Sequence, residues 1–185
     1  IDSPNAEEIE RGLEVYGWSK GKALINSITG ENEKINRLLP TIKKFKCAVI
    51  ALAMDERGIP DNSKTRIEIA DRLIKILAGI GVAPRDIFID PLVVPIGTND
   101  NNGLITMETI RDIREKYPEV RIVTGLSNIS FGLPERKLIN QVFMMLTMGC
   151  GMDAAIIDPT DKRMMAMIKA TMVLLGKDNF CGEYI

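Results

Sequence analysis

Asp2, Asn26, Asp55, Asp90, Asn128 and Asp158 each sit in a short polar cluster that follows an apolar run. The clusters are Asp2-Ser3-Pro4-Asn5, Asn26-Ser27, Met54-Asp55-Glu56-Arg57, Asp90-Pro91-Leu92, Leu126-Ser127-Asn128 and Asp158-Pro159. An ionised carboxylate only accepts hydrogen bonds, whereas an asparagine both donates and accepts. Carboxylates and amides converging on one pocket suit a neutral heterocycle rich in hydrogen-bonding groups. Asp90, ahead of a long polar loop, would accept from a ligand's amino and ring N–H groups. Asp2 and Asn26 would complete that edge, although Asp2 before Ser-Pro reads equally as a helix cap. Gly125 allows a sharp turn or a close approach to a ligand. Asn128 would then donate to a ring nitrogen or to developing charge; alone, Ser127-Asn128 reads as a pair of turn formers. Asp158-Pro159 is either structural or an edge of the site. Arg136 lies in the first turn of a helix, where its charge opposes the dipole. It reads as the partner of a carboxylate or cofactor edge, or as a solvated arginine.

The 185-residue chain contains no histidine and has a formal net charge of −1. Without histidine the commonest general base is missing, which disfavours Ser-His-Asp and Cys-His chemistry. The near-zero charge gives no sign of a nucleic-acid or acidic-membrane partner. Cys47, Cys150 and Cys181 are far apart and form no CxxC pair, so a zinc site is disfavoured. They read as reduced packing residues of a cytoplasmic protein. No apolar run approaches the ~20 residues of a membrane span.

The elements that must position these clusters repeat one plan of strand, polar loop and amphipathic helix. Strands are predicted at 23–28, 47–54, 86–90, 121–124 and 154–157, with a stub at Ile1. Helices are predicted at 4–16, 33–44, 63–78, 106–117, 134–148 and 162–175, the first capped by Ser3 and the third by Ser63. In the third, Ile67, Ala70, Leu73, Ile74 and Leu77 form the buried stripe. The continuous apolar run 47–54 marks a parallel strand buried on both faces. The segment 92–102 is a long loop at a strand's C-terminal end. The C-terminal methionines read mostly as core filler. The fold class is α/β, of the TIM (β/α)8 type, in which every strand end opens onto the face that carries the active site. The strand count predicts a single domain over 1–185 that lacks the first two βα units.

Several motifs resemble one family. Ile1-Asp2-Ser3-Pro4-Asn5, Ala23-Leu-Ile-Asn-Ser27, Ile89-Asp-Pro-Leu92, Thr124-Gly-Leu-Ser-Asn-Ile-Ser-Phe131, Pro134-Glu-Arg-Lys-Leu-Ile-Asn140 and Asp153-Ala-Ala-Ile-Ile-Asp158 are similar to segments of the pterin-binding methyltransferases. These are the methyltetrahydrofolate:corrinoid protein methyltransferases and the folate domain of cobalamin-dependent methionine synthase. The resemblance implies a barrel that transfers the methyl group of methyltetrahydrofolate to the Co(I) of a corrinoid protein. It implies pterin binding by Asp2, Asn26 and Asp90, with Ser27 and Asp55 beside them. It also implies an Asn128 contact near N5, an Arg136 at the same site, and a homodimer. Asn128 would be the catalytic residue. Two alternatives remain open: a pterin-binding or assembly module without turnover, and another pterin-binding barrel enzyme such as a dihydropteroate synthase relative. Leu-Ser-Asn where dihydropteroate synthases carry a Ser-Arg-Lys type motif weighs against the second.

Overall fold

A computed structural model describes residues 1–16 and 21–185. The described elements run α1 (Ala6–Tyr16), β1 (Leu24–Thr29), α2 (Asn32–Phe45), β2 (Ala48–Leu52), α3 (Ser63–Gly79), β3 (Ile87–Asp90), α4 (Asn102–Lys116), β4 (Arg121–Gly125), α5 (Arg136–Cys150), β5 (Ala154–Ile156) and α6 (Lys162–Leu174). The five strands form one sheet in the order β1-β2-β3-β4-β5, each parallel to the next. The stub also pairs in parallel, through a bridge between Asp2 and Asn26. Sequential order with a helix after each strand turns the sheet in one sense. That is the arrangement of a barrel wall, not of a doubly wound sheet, whose strand order reverses.

Burial follows from this placement. Val49 and Ala51 of β2 and Ile87 and Ile89 of β3 have no exposed surface, as expected for strands covered on both faces. Ile69, Leu73 and Leu77 of α3 pack on them, and the same cluster extends through Ile110, Ile113, Phe143 and Met148 to the later helices. β5 is only half-buried. Met144, Met148, Met152 and Met164 are core residues as expected, whereas Met165 is exposed.

The sequence reading shifts at several ends. The side chain capping α1 is Asn5, whose Oδ1 accepts from Glu7 N at 2.9 Å, and the one capping α3 is Asn62, which accepts from Thr65 N at 2.8 Å. Ser3 and Ser63 do not serve as those caps, because a neighbouring asparagine reaches the free amides first. α4 starts at Asn102, earlier than predicted. The Asn101-Asn102-Gly103 run reads as a turn, but the buried Asn102 side chain donates to Pro95 O at 2.8 Å and anchors the first helical turn. α5 begins at Arg136, with Glu135 in a left-handed conformation ahead of it, so Pro134 lies outside the helix.

At the edge where strands begin, Arg114 near the end of α4 donates to the carbonyls of Pro118, Val120 and Gly151 and pairs with Asp153. This ties together the turns that enter β4 and β5. Leu73 has no exposed surface. We expect Leu73→Ala to cost about 3 kcal/mol, measured as a lower urea midpoint with an unchanged slope.

Candidate functional site

Parallel strands put all their C-terminal ends on one edge, and the predicted residues lie along it in chain order. At one end of the edge, Asp2 and Asn26 face each other. Asn26 N donates to Ile1 O at 2.8 Å, and Ser3 N donates to Asn26 O at 3.2 Å. Asn26 pairs with Ile50 and Ile28 with Ala51, so Ser27 is the extra residue of a bulge. Bulges re-aim side chains at the rims of barrels. The Asn26–Ser27 peptide is cis. Asp2, Asn26 and Ser27 line a cleft of about 400 Å³ together with Leu52 and Met54.

Asp90 closes β3 and is buried. Its Oδ1 accepts from Leu92 N at 2.8 Å, and Gly125 N–H of β4 also donates to the carboxylate. Burial pushes the Asp90 carboxyl up to about 6, against the opposing pull of those two amides and of the Arg66 charge. Leu92 adopts φ 66, a left-handed conformation that costs a non-glycine residue on the order of 1 kcal/mol. Arg66, 1% exposed, holds this turn: Nη1 donates to Pro91 O at 3.0 Å and Leu92 O at 2.6 Å, and Nε donates to Pro60 O at 2.9 Å.

Asn128 is exposed in the short 3-10 helix Leu126–Ser130. Its Nδ2 lies 3.5 Å from the point where a Cβ on Gly125 would stand. Gly125 therefore joins the two groups: its N–H binds Asp90 and its Cα sits under the Asn128 amide. Gly125 has φ −77, so the turn itself does not require glycine. A Cβ there would meet the Asn128 amide at ordinary contact distance.

Arg136 is exposed and partly engaged within the protein. Nε donates to Ser130 Oγ at 3.1 Å and Nη2 to Ser127 O at 2.9 Å, which braces the 3-10 segment from beneath. Ser127, Arg136 and Asp158 line a second cleft of about 400 Å³. Asp158 also accepts from Thr160 N and Oγ1, so it both closes its own turn and lines the cleft. Asp55 is buried, and both its oxygens take hydrogen bonds from Arg57. The Arg57 guanidinium holds the Asp55 carboxyl below its ordinary value. Asp90, Asn128 and Asp55 line neither cleft.

Sequence reasoning missed Arg66. It stands on the α3 stripe with Ala70, Leu73 and Leu77, the spacing of a buried residue; the stripe is turned so that Ile69, not Ile67, is buried with them. It also missed Lys34 and Arg37, which line the first cleft from α2. Among the described residues no cluster of acids and cysteines could hold a metal ion, and no helix is long and apolar enough to cross a membrane.

The chain is a barrel-type α/β wall with buried carboxylates and an exposed amide at its strand ends. Residues 1–158 match the family described as pterin binding enzymes, and the chain belongs to that family. It is 40% identical to a methylcorrinoid:tetrahydrofolate methyltransferase of Eubacterium limosum, over 100% of this chain and 68% of that protein. It is 34% identical to a methionine synthase of Mycobacterium tuberculosis over 85% of this chain; the match spans 14% of that protein. A dihydropteroate synthase structure from Yersinia pestis superposes with a TM-score of 0.70 over 95% of this chain and 71% of that one, at 16% identity, a likeness of fold.

The folded protein holds the Asp90 proton to a higher pH than the unfolded chain does. Stability therefore falls as pH rises from 3.8 to about 6. We expect Asp90→Asn to be more stable than wild type at pH 7 by on the order of 2 kcal/mol. The difference should vanish near pH 4, as urea midpoints across this range will report.

Proposed function

We propose that this protein transfers the methyl group of N5-methyltetrahydrofolate to the Co(I) of a corrinoid carried by a partner protein. The observation that carries this reading is the meeting of a buried acceptor, Asp90, and an amide, Asn128, at Gly125. The Eubacterium limosum relative is named for the same exchange in the opposite direction. Because groups that stabilise a transition state lower the barrier both ways, direction is set by the methylation state of the corrinoid.

In this reading Asp2, Asn26 and Asp90 hold the amino and ring N–H edge of the pterin, and Ser27 borders the same cleft. A tertiary amine is a poor leaving group, so N5 must gain positive character before its bond to the methyl group breaks. Asn128 can turn its Oδ1 towards a proton on N5 and is the catalytic residue. An interaction made more strongly in the transition state than in the ground state raises the rate. Nothing here requires a strong base, which suits a chain without histidine. Arg136 acts by bracing the Asn128 segment, and Asp55 by fixing its own loop through Arg57. The corrinoid supplies the methyl-accepting metal when its protein docks at this edge.

The reading extends to a cytoplasmic homodimer. Cys47, Cys150 and Cys181 are free thiols, as suits a reducing compartment. A second copy would cover the apolar cleft of about 350 Å³ between α4 and α5. There Leu104, Leu138, Val142 and Leu146 stand about half exposed.

The test is loss of the Co(I) absorption band when a Co(I) corrinoid protein is mixed with methyltetrahydrofolate and this protein. We expect Asn128→Ala to slow that loss on the order of a hundredfold. A wild type that binds the pterin without transferring methyl is instead a binding module. The paired substitution Val142→Asp and Leu146→Asp should halve the mass seen in sedimentation; an unchanged mass places the contact elsewhere.

A further inference from the structure

Arg66 is the largest fully buried side chain among the described residues, and its hydrogen bonds run to backbone carbonyls. Burying a guanidinium costs several kcal/mol unless its donors are used and its charge is offset. Nε and Nη1 are used: they tie Pro60, in the loop after β2, to Pro91 and Leu92, in the turn after β3. The offset comes from Asp90 and, farther along the same helix start, Asp61. Arg66 is the cation that acts on Asp90, alongside the Leu92 and Gly125 amides. The two buried charges thus sit on either side of the Pro91-Leu92 turn. The arginine grips the two carbonyls of that turn while the carboxylate grips the amide of Leu92.

We propose that Arg66 is the positioning residue for Asp90: by gripping the Pro91 and Leu92 carbonyls it fixes the left-handed turn whose Leu92 amide aims the carboxylate, and it sets a buried positive charge beside that turn. The role rests on the reading of Asp90 as a ligand-binding acceptor only for its consequence, not for its measurement. Arg66 touches no substrate; it acts through Asp90 and through the Leu92 carbonyl, which also faces Thr106 Oγ1 at 3.3 Å.

The consequence for function is a pH dependence. An ionised Asp90 accepts from a pterin's amino group, and a protonated one loses that capacity at the oxygen carrying the proton. Losing the Arg66 charge would carry the acidic limb of pterin binding upward into the working range.

The test separates the two claims. The titration of Asp90 is read without ligand, from carboxyl carbon resonances of the wild type assigned by comparison with Asp90→Asn. The same titration is then run for Arg66→Gln and Arg66→Lys. In Arg66→Gln, which keeps a donor for one carbonyl but no charge, the Asp90 midpoint should move upward by on the order of one pH unit. Arg66→Lys should restore it while leaving the Leu92 amide faster to exchange. An unmoved midpoint in Arg66→Gln overturns the proposal. If that variant does not fold, a midpoint in Arg66→Lys displaced from wild type by as much as one unit overturns it as well. Tetrahydrofolate affinity against pH is measured alongside. Affinity equal in wild type and Asp90→Asn removes Asp90 from the binding site, whatever the titration says of Arg66.

Discussion

A carboxylate buried at the end of a parallel strand is the constraint around which this structure is arranged. Asp90 cannot stay charged there unless its oxygens are met, and the fold meets them with the backbone amides of Leu92 and Gly125. The first requires Leu92 to take a left-handed conformation. The second requires β4 to lie beside β3. Arg66 then holds the turn by its carbonyls, and α3 must deliver a guanidinium into the core to do so. The cost of burying Asp90 is thus spread over two strands, one helix and one strained residue. Keeping a buried carboxylate at a strand end comes at some expense to the folded state.

Arg66 and Arg114 make the two ends of the sheet comparable. Each donates to three backbone carbonyls and ties loops that are separate in sequence. Arg114 works where strands begin and has Asp153 as a direct ionic partner. Arg66 works where strands end and has no direct carboxylate partner, only the charge of Asp90 across the turn. The difference fits the division of a barrel into a face that holds the fold and a face that carries chemistry. At the second face a fully paired ion would leave nothing for a ligand.

The strand–loop–helix plan was legible because its signals are local: apolar runs, Gly and Pro turns and helical stripes. The alignment of Asp2, Asn26, Asp90 and Asn128 on one edge followed from that plan alone, since parallel strands share their C-terminal side. Asp55 was placed on the right edge, but its engagement with Arg57 depends on a side-chain contact that spacing does not encode. Arg136 has no partner in its own helix start; the hydrogen bonds of its Nε and Nη2 run to the preceding 3-10 segment, contacts that spacing does not encode, and it also lines the second cleft. Arg66 was passed over because charge outweighed position in the reading of α3. Its spacing placed it on the buried face, but only the carbonyls of two distant loops explain how it stays there. The early start of α4 was hidden because Asn102 and Gly103 favour turns until Asn102 finds Pro95 O.

The strict neighbour order of β1 to β5 also bears on how the chain is made. During synthesis, β1 and β2 can pair and take their helices as soon as they leave the ribosome. Asp90 emerges next and finds the Leu92 amide at once, but the Gly125 amide arrives only after α4 has been translated. For that interval the growing chain carries a half-satisfied carboxylate at its newest edge. An edge in that state resists premature pairing with the wrong strand, so a carboxylate that the finished protein buries guards the unfinished one.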